Sequence, residues 1–129
     1  MGKPNNIKSK VLPLVWFIYT TLLLFGLTII PPSLLFKIEK STEFVSDPGS
    51  HIRHMLMFIV ESFLSAAVLS ELGLAFSAVL GAFTELVQYF IPWRSYDIAD
   101  LLADLLGSIL GFIIFSKLVS KDFEESAKT

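Results

Sequence analysis

Glu85, Gln88, Arg94, Asp97, Asp100 and Asp104 stand at helical spacing in a stretch that is otherwise apolar or aromatic. Two chemistries suit such a set. A guanidinium among carboxylates can bind an anionic group while the acids orient it, because arginine presents a planar fork of donors that matches phosphate and carboxylate. Carboxylates one turn apart, here Asp100 and Asp104, can instead share a divalent cation, since oxygen-rich sites suit Mg²⁺. His51, Arg53 and His54 lie upstream as further cationic groups, and Glu61 follows them. No Ser-His-Asp set is evident, and the absence of Cys excludes disulfides, thiolate metal sites and a Cys nucleophile together. Neither a cofactor nor a metal-ligand set is assigned from the sequence.

The elements that carry these residues are membrane spans. The chain has 129 residues, 53% of them hydrophobic and 17% charged, against about 25% charged in an average globular domain. The formal charge of -2 argues against nucleic acid as a partner, because phosphate binding wants a basic face. A first span is expected over 11–30, stopped by Pro31 and Pro32. Its apolar stretch is long and no small-x-small cleavage site follows, so it reads as a retained helix and not a signal peptide. The forty residues of 52–91 would make a helix of about 60 Å, twice the roughly 30 Å hydrocarbon core. They must fold back, and the turn is expected at Ser70-Glu71-Leu72-Gly73. Spans over 52–69 and 73–91 follow, then a fourth over 98–119 and a polar, disordered tail at 121–129.

The expected fold is all-α: one integral membrane four-helix bundle over 1–120, in a multi-pass protein of the cell membrane. With the N-terminus in the cytoplasm, Lys3, Lys8, Lys10, Lys117, Lys121 and Lys128 fall inside, and Lys37, Lys40, Arg53 and Arg94 outside. That bias favours cytoplasmic termini. The start of the second span, the end of the third and the start of the fourth then share the extracytoplasmic face. Glu85, Gln88 and Pro92 lie on one helical face, as do Asp97, Asp100, Asp104 and Gly111, and His51, His54, Phe58, Glu61 and Ser65. Polar stripes in neighbouring spans should face each other and not lipid, which implies a small polar pocket opening outward.

Simpler roles compete for several of these residues. Asp97 can cap the fourth span, and Pro92 can merely end the third. Gly107 and Gly111 form a G-x-x-x-G pattern that suits close helix packing. Tyr89, Phe90, Trp93 and Tyr96 suit an interfacial aromatic belt. Glu61 reads equally as a deep pocket member or an assembly contact.

The run Glu85, Gln88, Phe90, Pro92, Arg94, Asp97, Asp100, Asp104, Gly107 and Gly111 resembles the pattern E-x-x-Q-x-F-x-P-x-R-x-x-D-x-x-D-x-x-x-N-x-x-G-x-x-x-G of the VanZ-like family. That family of small bacterial membrane proteins is named for one associated with low-level teicoplanin resistance. Asp104 departs from it, the family usually having Asn there. The family's D-K-x-x-H-F at the second span admits two registers: His54 leaves Ser50 in the Asp position, whereas His51 has Asp47 four residues before it. His54 is preferred. The resemblance implies a cell-envelope protein recognising a polar or anionic group of a lipid or glycopeptide and contributing to teicoplanin-type resistance, with Arg94 and His54 on the anion and Glu85, Asp100 and Asp104 orienting them. Two other readings stand beside it: a membrane enzyme acting on lipid-linked phosphate, and a non-catalytic membrane subunit or scaffold with a membrane protein partner or a second copy of itself. Whether the chain is an enzyme is left open.

Overall fold

The computed structural model describes residues 7–29, 48–92 and 96–129. They form four helices: α1 (Ile7–Thr28), α2 (Pro48–Leu69), α3 (Leu72–Tyr89) and α4 (Ile98–Lys128). Each contains a segment long and apolar enough to cross a membrane, and the protein is a multi-pass, all-α membrane protein. Pro31 and Pro32, expected to end the first span, lie outside the described residues, as do Trp93, Arg94 and Ser95.

The distribution of polarity is that of a bundle dissolved in lipid. The side chains buried almost completely include Phe58 but also Glu61, Ser62, Ser65, Ser77, Thr84, Glu85, Asp104 and Ser108. Phe17, Leu22, Val79, Leu86 and Ile98, by contrast, are well exposed. In hydrocarbon an exposed leucine costs nothing, while a polar group must find its partners inside the bundle. A small apolar cluster of Leu23, Leu27, Phe58 and Leu80 joins α1, α2 and α3.

Helix α2 is central. It packs on α1, α3 and α4, its contact with α4 being the most extensive, and α1 touches α2 and α3 only. Gly107 and Gly111 explain the close crossing: a Cβ on Gly107 would run into the Met55 carbonyl oxygen, and one on Gly111 into that of Ile59. Two residues one turn apart on α4 thus sit directly on two carbonyls one turn apart on α2, which is the small-residue packing that the G-x-x-x-G spacing suggests. Ser62 Oγ donates to the Ser108 carbonyl at 2.6 Å and Ser77 Oγ meets Ser108 Oγ at 2.8 Å, tying α2, α3 and α4 at the same level.

The reversal between α2 and α3 is tighter than expected, confined to Ser70 and Glu71. Ser70 takes a left-handed conformation with φ 57°, and its N–H donates to the Ala66 carbonyl at 2.8 Å. The C-terminal tail also differs from the expectation of disorder, for α4 continues as one helix to Lys128. Once a helix is nucleated each added residue costs little. Glu124 with Lys128 at i, i+4 and Lys128 beside the C-terminal dipole both favour continuation. At 31 residues, α4 is about 46 Å long, so its polar end extends beyond any hydrocarbon layer.

Candidate functional site

The first turns of α2 and α4 meet at one end of the bundle. Their register pairs each histidine with one aspartate. His51 Nδ1 lies 2.5 Å from Asp100 Oδ1, and His54 Nδ1 lies 2.9 Å from Asp104 Oδ1. His54 also links the two pairs, its Nε2 being 3.7 Å from Asp100 Oδ2. Both histidines of the competing registers therefore take part. Ser50, in the position where the family pattern has Asp, donates to Asp100 Oδ2 at 3.2 Å, so a hydroxyl there supports the same aspartate.

Asp97 is the N-cap of α4. Its Oδ1 accepts from the Ala99 N–H at 2.8 Å, and its own backbone N–H donates to Glu85 Oε2 at 3.4 Å. The capping role is realised, and the same residue ties α4 to the end of α3. Glu85 projects inward from α3 and is almost completely buried. Gln88 shares that face but does something else: its amide donates to the Leu27 carbonyl of α1 at 2.9 Å. That carbonyl is in the last turn of α1 and has no intrahelical partner, so Gln88 caps α1 at a distance. Arg94 lies outside the described residues. Arg53 is half-buried on α2.

Glu61 is not part of this group. Seven residues after His54, about 10 Å along α2 at 1.5 Å per residue, it turns toward α1. Thr20 Oγ1 donates to both of its oxygens at 3.0 Å, Trp16 Nε1 to Oε1 at 3.1 Å and Ser65 Oγ to Oε1 at 2.8 Å. Trp16 also donates to Ser65 Oγ at 2.9 Å and stacks edge-on against Phe76, ring centroids 5.2 Å apart. The single polar stripe expected on α2 thus splits, its first half serving α4 and its second half α1. Trp16 and Thr20, which sequence reading did not single out, sit at i, i+4 on α1; this spacing in a strongly apolar span was the available signal.

The pattern in the sequence assigned no metal set, but the fold assembles two groups with suitable donors: His51, Asp97 and Asp100, and His54, Glu85 and Asp104. In the first, Asp97 and Asp100 already accept from Ala99, Ser50 and His51. In the second, Glu85 Oε1 and Asp104 Oδ2 are buried with no hydrogen-bond partner among the described residues. Orphaned acceptors of this kind are rare in folded proteins and call for an explanation.

A cleft of about 540 Å³ lies between α3 and the start of α4, lined by Ala82, Glu85, Leu86, Tyr89, Tyr96 and Leu101. Leu86, Tyr89 and Tyr96 are exposed, so the cleft opens sideways on the bundle, with the buried Glu85 on its inner side. The family model described as VanZ/LLP1 matches residues 14–120, a stretch that takes in every site residue named above. Neither the curated proteins nor the solved structures include a match to the chain.

Proposed function

The chain belongs to the VanZ/LLP1 family, and we propose that it recognises the polar head of a membrane amphiphile, a lipid or a glycopeptide of the teicoplanin type, at the cleft beside Glu85. The observation that carries this reading is the form of the cleft: apolar and aromatic walls open to the side of the bundle, with the buried Glu85 among the residues that line it. Its volume lies in the usual range for small-molecule sites, about 300 to 1,000 Å³. Tyr89 and Tyr96 offer flat surfaces for a sugar or acyl chain, and Glu85 accepts hydrogen bonds from hydroxyl or amine groups. The Asp97 backbone N–H, donating to Glu85 Oε2 at 3.4 Å, ties this carboxylate to the start of α4. Arg94, two residues beyond Pro92 in the linker to α4, supplies the cation for an anionic group in this reading.

The orientation proposed has both termini in the cytoplasm, so that the cleft faces outward and the protein contributes to glycopeptide resistance. Because the chain has no Cys, single-Cys variants report topology directly. A membrane-impermeant thiol reagent applied to intact cells is expected to label Tyr96→Cys and to spare Glu71→Cys; the reverse pattern overturns the orientation.

Susceptibility tests the binding reading. In a host that relies on the protein, Glu85→Gln and Leu101→Trp, the second filling the cleft, are expected to raise teicoplanin susceptibility at matched membrane levels, and to weaken binding of labelled teicoplanin in nanodiscs. Unchanged susceptibility and binding in both variants would remove the cleft from the function.

A further inference from the structure

The unpartnered oxygens of Glu85 and Asp104 separate this site from an ordinary buried network. His54 from α2, Glu85 from α3 and Asp104 from α4 each offer a donor atom, and these atoms all lie within 4.8 Å of one another. Their exposures are 3%, 1% and 0%, so water does not solvate them from outside. The neighbouring hydroxyls do not help either. Thr84 Oγ1 donates to the Gly81 carbonyl and Ser108 Oγ to the Asp104 carbonyl, both spending their protons on backbone. One imidazole cannot satisfy what remains, because His54 Nδ1 is directed at the other Asp104 oxygen, Oδ1. Two buried carboxyl groups thus converge with acceptor capacity left over. Such an arrangement is costly unless a cation completes it.

We propose that His54, Glu85 and Asp104 form a binding site for a divalent first-row transition cation, with Zn²⁺ and Mn²⁺ as the ions that suit it. The donor set selects the class. Imidazole favours transition metals over Mg²⁺ and Ca²⁺, and carboxylates accept both Zn²⁺ and Mn²⁺. Three protein donors leave at least one coordination position open, and one of the three, Glu85, is also among the residues lining the cleft. With Nδ1 as ligand atom, His54 Nε2 faces Asp100 Oδ2 at 3.7 Å. An outer carboxylate placed there orients the ring and fixes its tautomer, as outer partners of metal-bound histidines do. The site is independent of whether the cleft accepts an amphiphile. If it does, a bound ion also gives a phosphate or carboxylate head a positive centre in a cleft whose lining is otherwise apolar and aromatic apart from Glu85.

The test uses the full chain, without an affinity tag, purified in detergent, stripped with chelator and titrated calorimetrically with Zn²⁺ and with Mn²⁺, no amphiphile being added. The expected result is saturable binding of one ion per chain, with Mg²⁺ much weaker. Glu85→Gln and Asp104→Asn are expected to abolish it, and Asp100→Asn to weaken it about 10- to 100-fold as an outer partner. Glu61→Gln, in the other carboxyl cluster, should leave it unchanged. Circular dichroism and gel filtration establish that each variant is folded. Co²⁺ absorption supplies a second reading, since the loss of one ligand shifts the spectrum even where affinity survives. No saturable binding to the folded wild-type chain overturns the proposal, as does binding that persists with an unaltered Co²⁺ spectrum in Glu85→Gln and Asp104→Asn.

Discussion

Two clusters of buried carboxyl groups lie about two turns apart along α2, and they are built in opposite ways. Around Glu61, three donors from Trp16, Thr20 and Ser65 converge on both oxygens. Around Glu85 and Asp104, one oxygen of each has no partner, and the nearby hydroxyls turn away. A carboxylate that serves as a strut is expected to be saturated, because each missing hydrogen bond in a buried place costs about 1–3 kcal/mol. One that serves a ligand must keep capacity in reserve. The contrast assigns stability to the Glu61 cluster and chemistry to the other, and it can be broken or sharpened by substitution.

The largest effect is expected at Glu61. Glu61→Ala removes the acceptor of Trp16 and Thr20 and loosens the attachment of α1 to α2. At about 1–2 kcal/mol for each interhelical hydrogen bond in a membrane, the loss should be about 2–3 kcal/mol, read as a lower midpoint in detergent unfolding. Glu61→Gln keeps the shape and one acceptor and should lose less. A Glu61→Ala variant as stable as the wild type would mean that the saturated cluster is not a strut, and the contrast would lose one side.

Next come the glycines under α2. Gly107→Ala and Gly111→Ala each place a methyl on a carbonyl oxygen of α2, and overpacking of this kind costs about 1–3 kcal/mol. The two differ in what lies beside them. Gly107 meets Met55, adjacent to His54, whereas Gly111 meets Ile59, between the clusters. Gly107→Ala is therefore expected to weaken Zn²⁺ binding as well as stability, and Gly111→Ala stability alone. Equal effects of both on metal affinity would argue that the metal group depends on the overall spacing of α2 and α4 and not on its local register.

How far the sequence foretold this arrangement follows from what periodicity can encode. Apolar length and the G-x-x-x-G spacing foretold the four spans and a close-packing face on α4, because both depend on residues within one helix; the partner, α2, came from the fold. Helical phase brought His54, Asp100 and Asp104 onto facing stripes for the same reason. It could not divide the α2 stripe between two neighbours, since His51, His54, Glu61 and Ser65 have one phase whichever helix they meet. Nor could it separate Gln88 from Glu85. They share a face at i, i+3, yet the extra turn carries Gln88 to the end of α1, whose free carbonyl no pattern in α3 announces. Polarity alone does not distinguish a disordered tail from the last turns of α4, because a charged segment continuing a formed helix needs no apolar face.

Gln88 supplies a smaller test. Gln88→Leu removes the amide donor to the Leu27 carbonyl and should cost about 1 kcal/mol, the usual net worth of one hydrogen bond. Since it touches α1 and not the metal group, Zn²⁺ affinity and teicoplanin binding should stay at wild-type levels. A loss of metal binding with stability intact would move Gln88 from the structural side of the contrast to the chemical one.

The smallest expected change in stability is the most discriminating. Asp104→Asn is nearly isosteric, restores the residue that the VanZ-like pattern has at this position, and leaves Oδ1 available to His54, which it meets at 2.9 Å. The new amide takes the place of the unpartnered Oδ2. One substitution thereby removes one of the two unsatisfied carboxylate acceptors. Stability should hold within about 0.5 kcal/mol or rise, while metal binding is lost, the trade expected where a site is kept unsaturated for function. Glu61→Ala, by contrast, removes the acceptor of Trp16, Thr20 and Ser65 and should destabilise. If Asp104→Asn destabilises as much as Glu61→Ala, the orphaned oxygens carry no reserve, and the two clusters are struts of one kind.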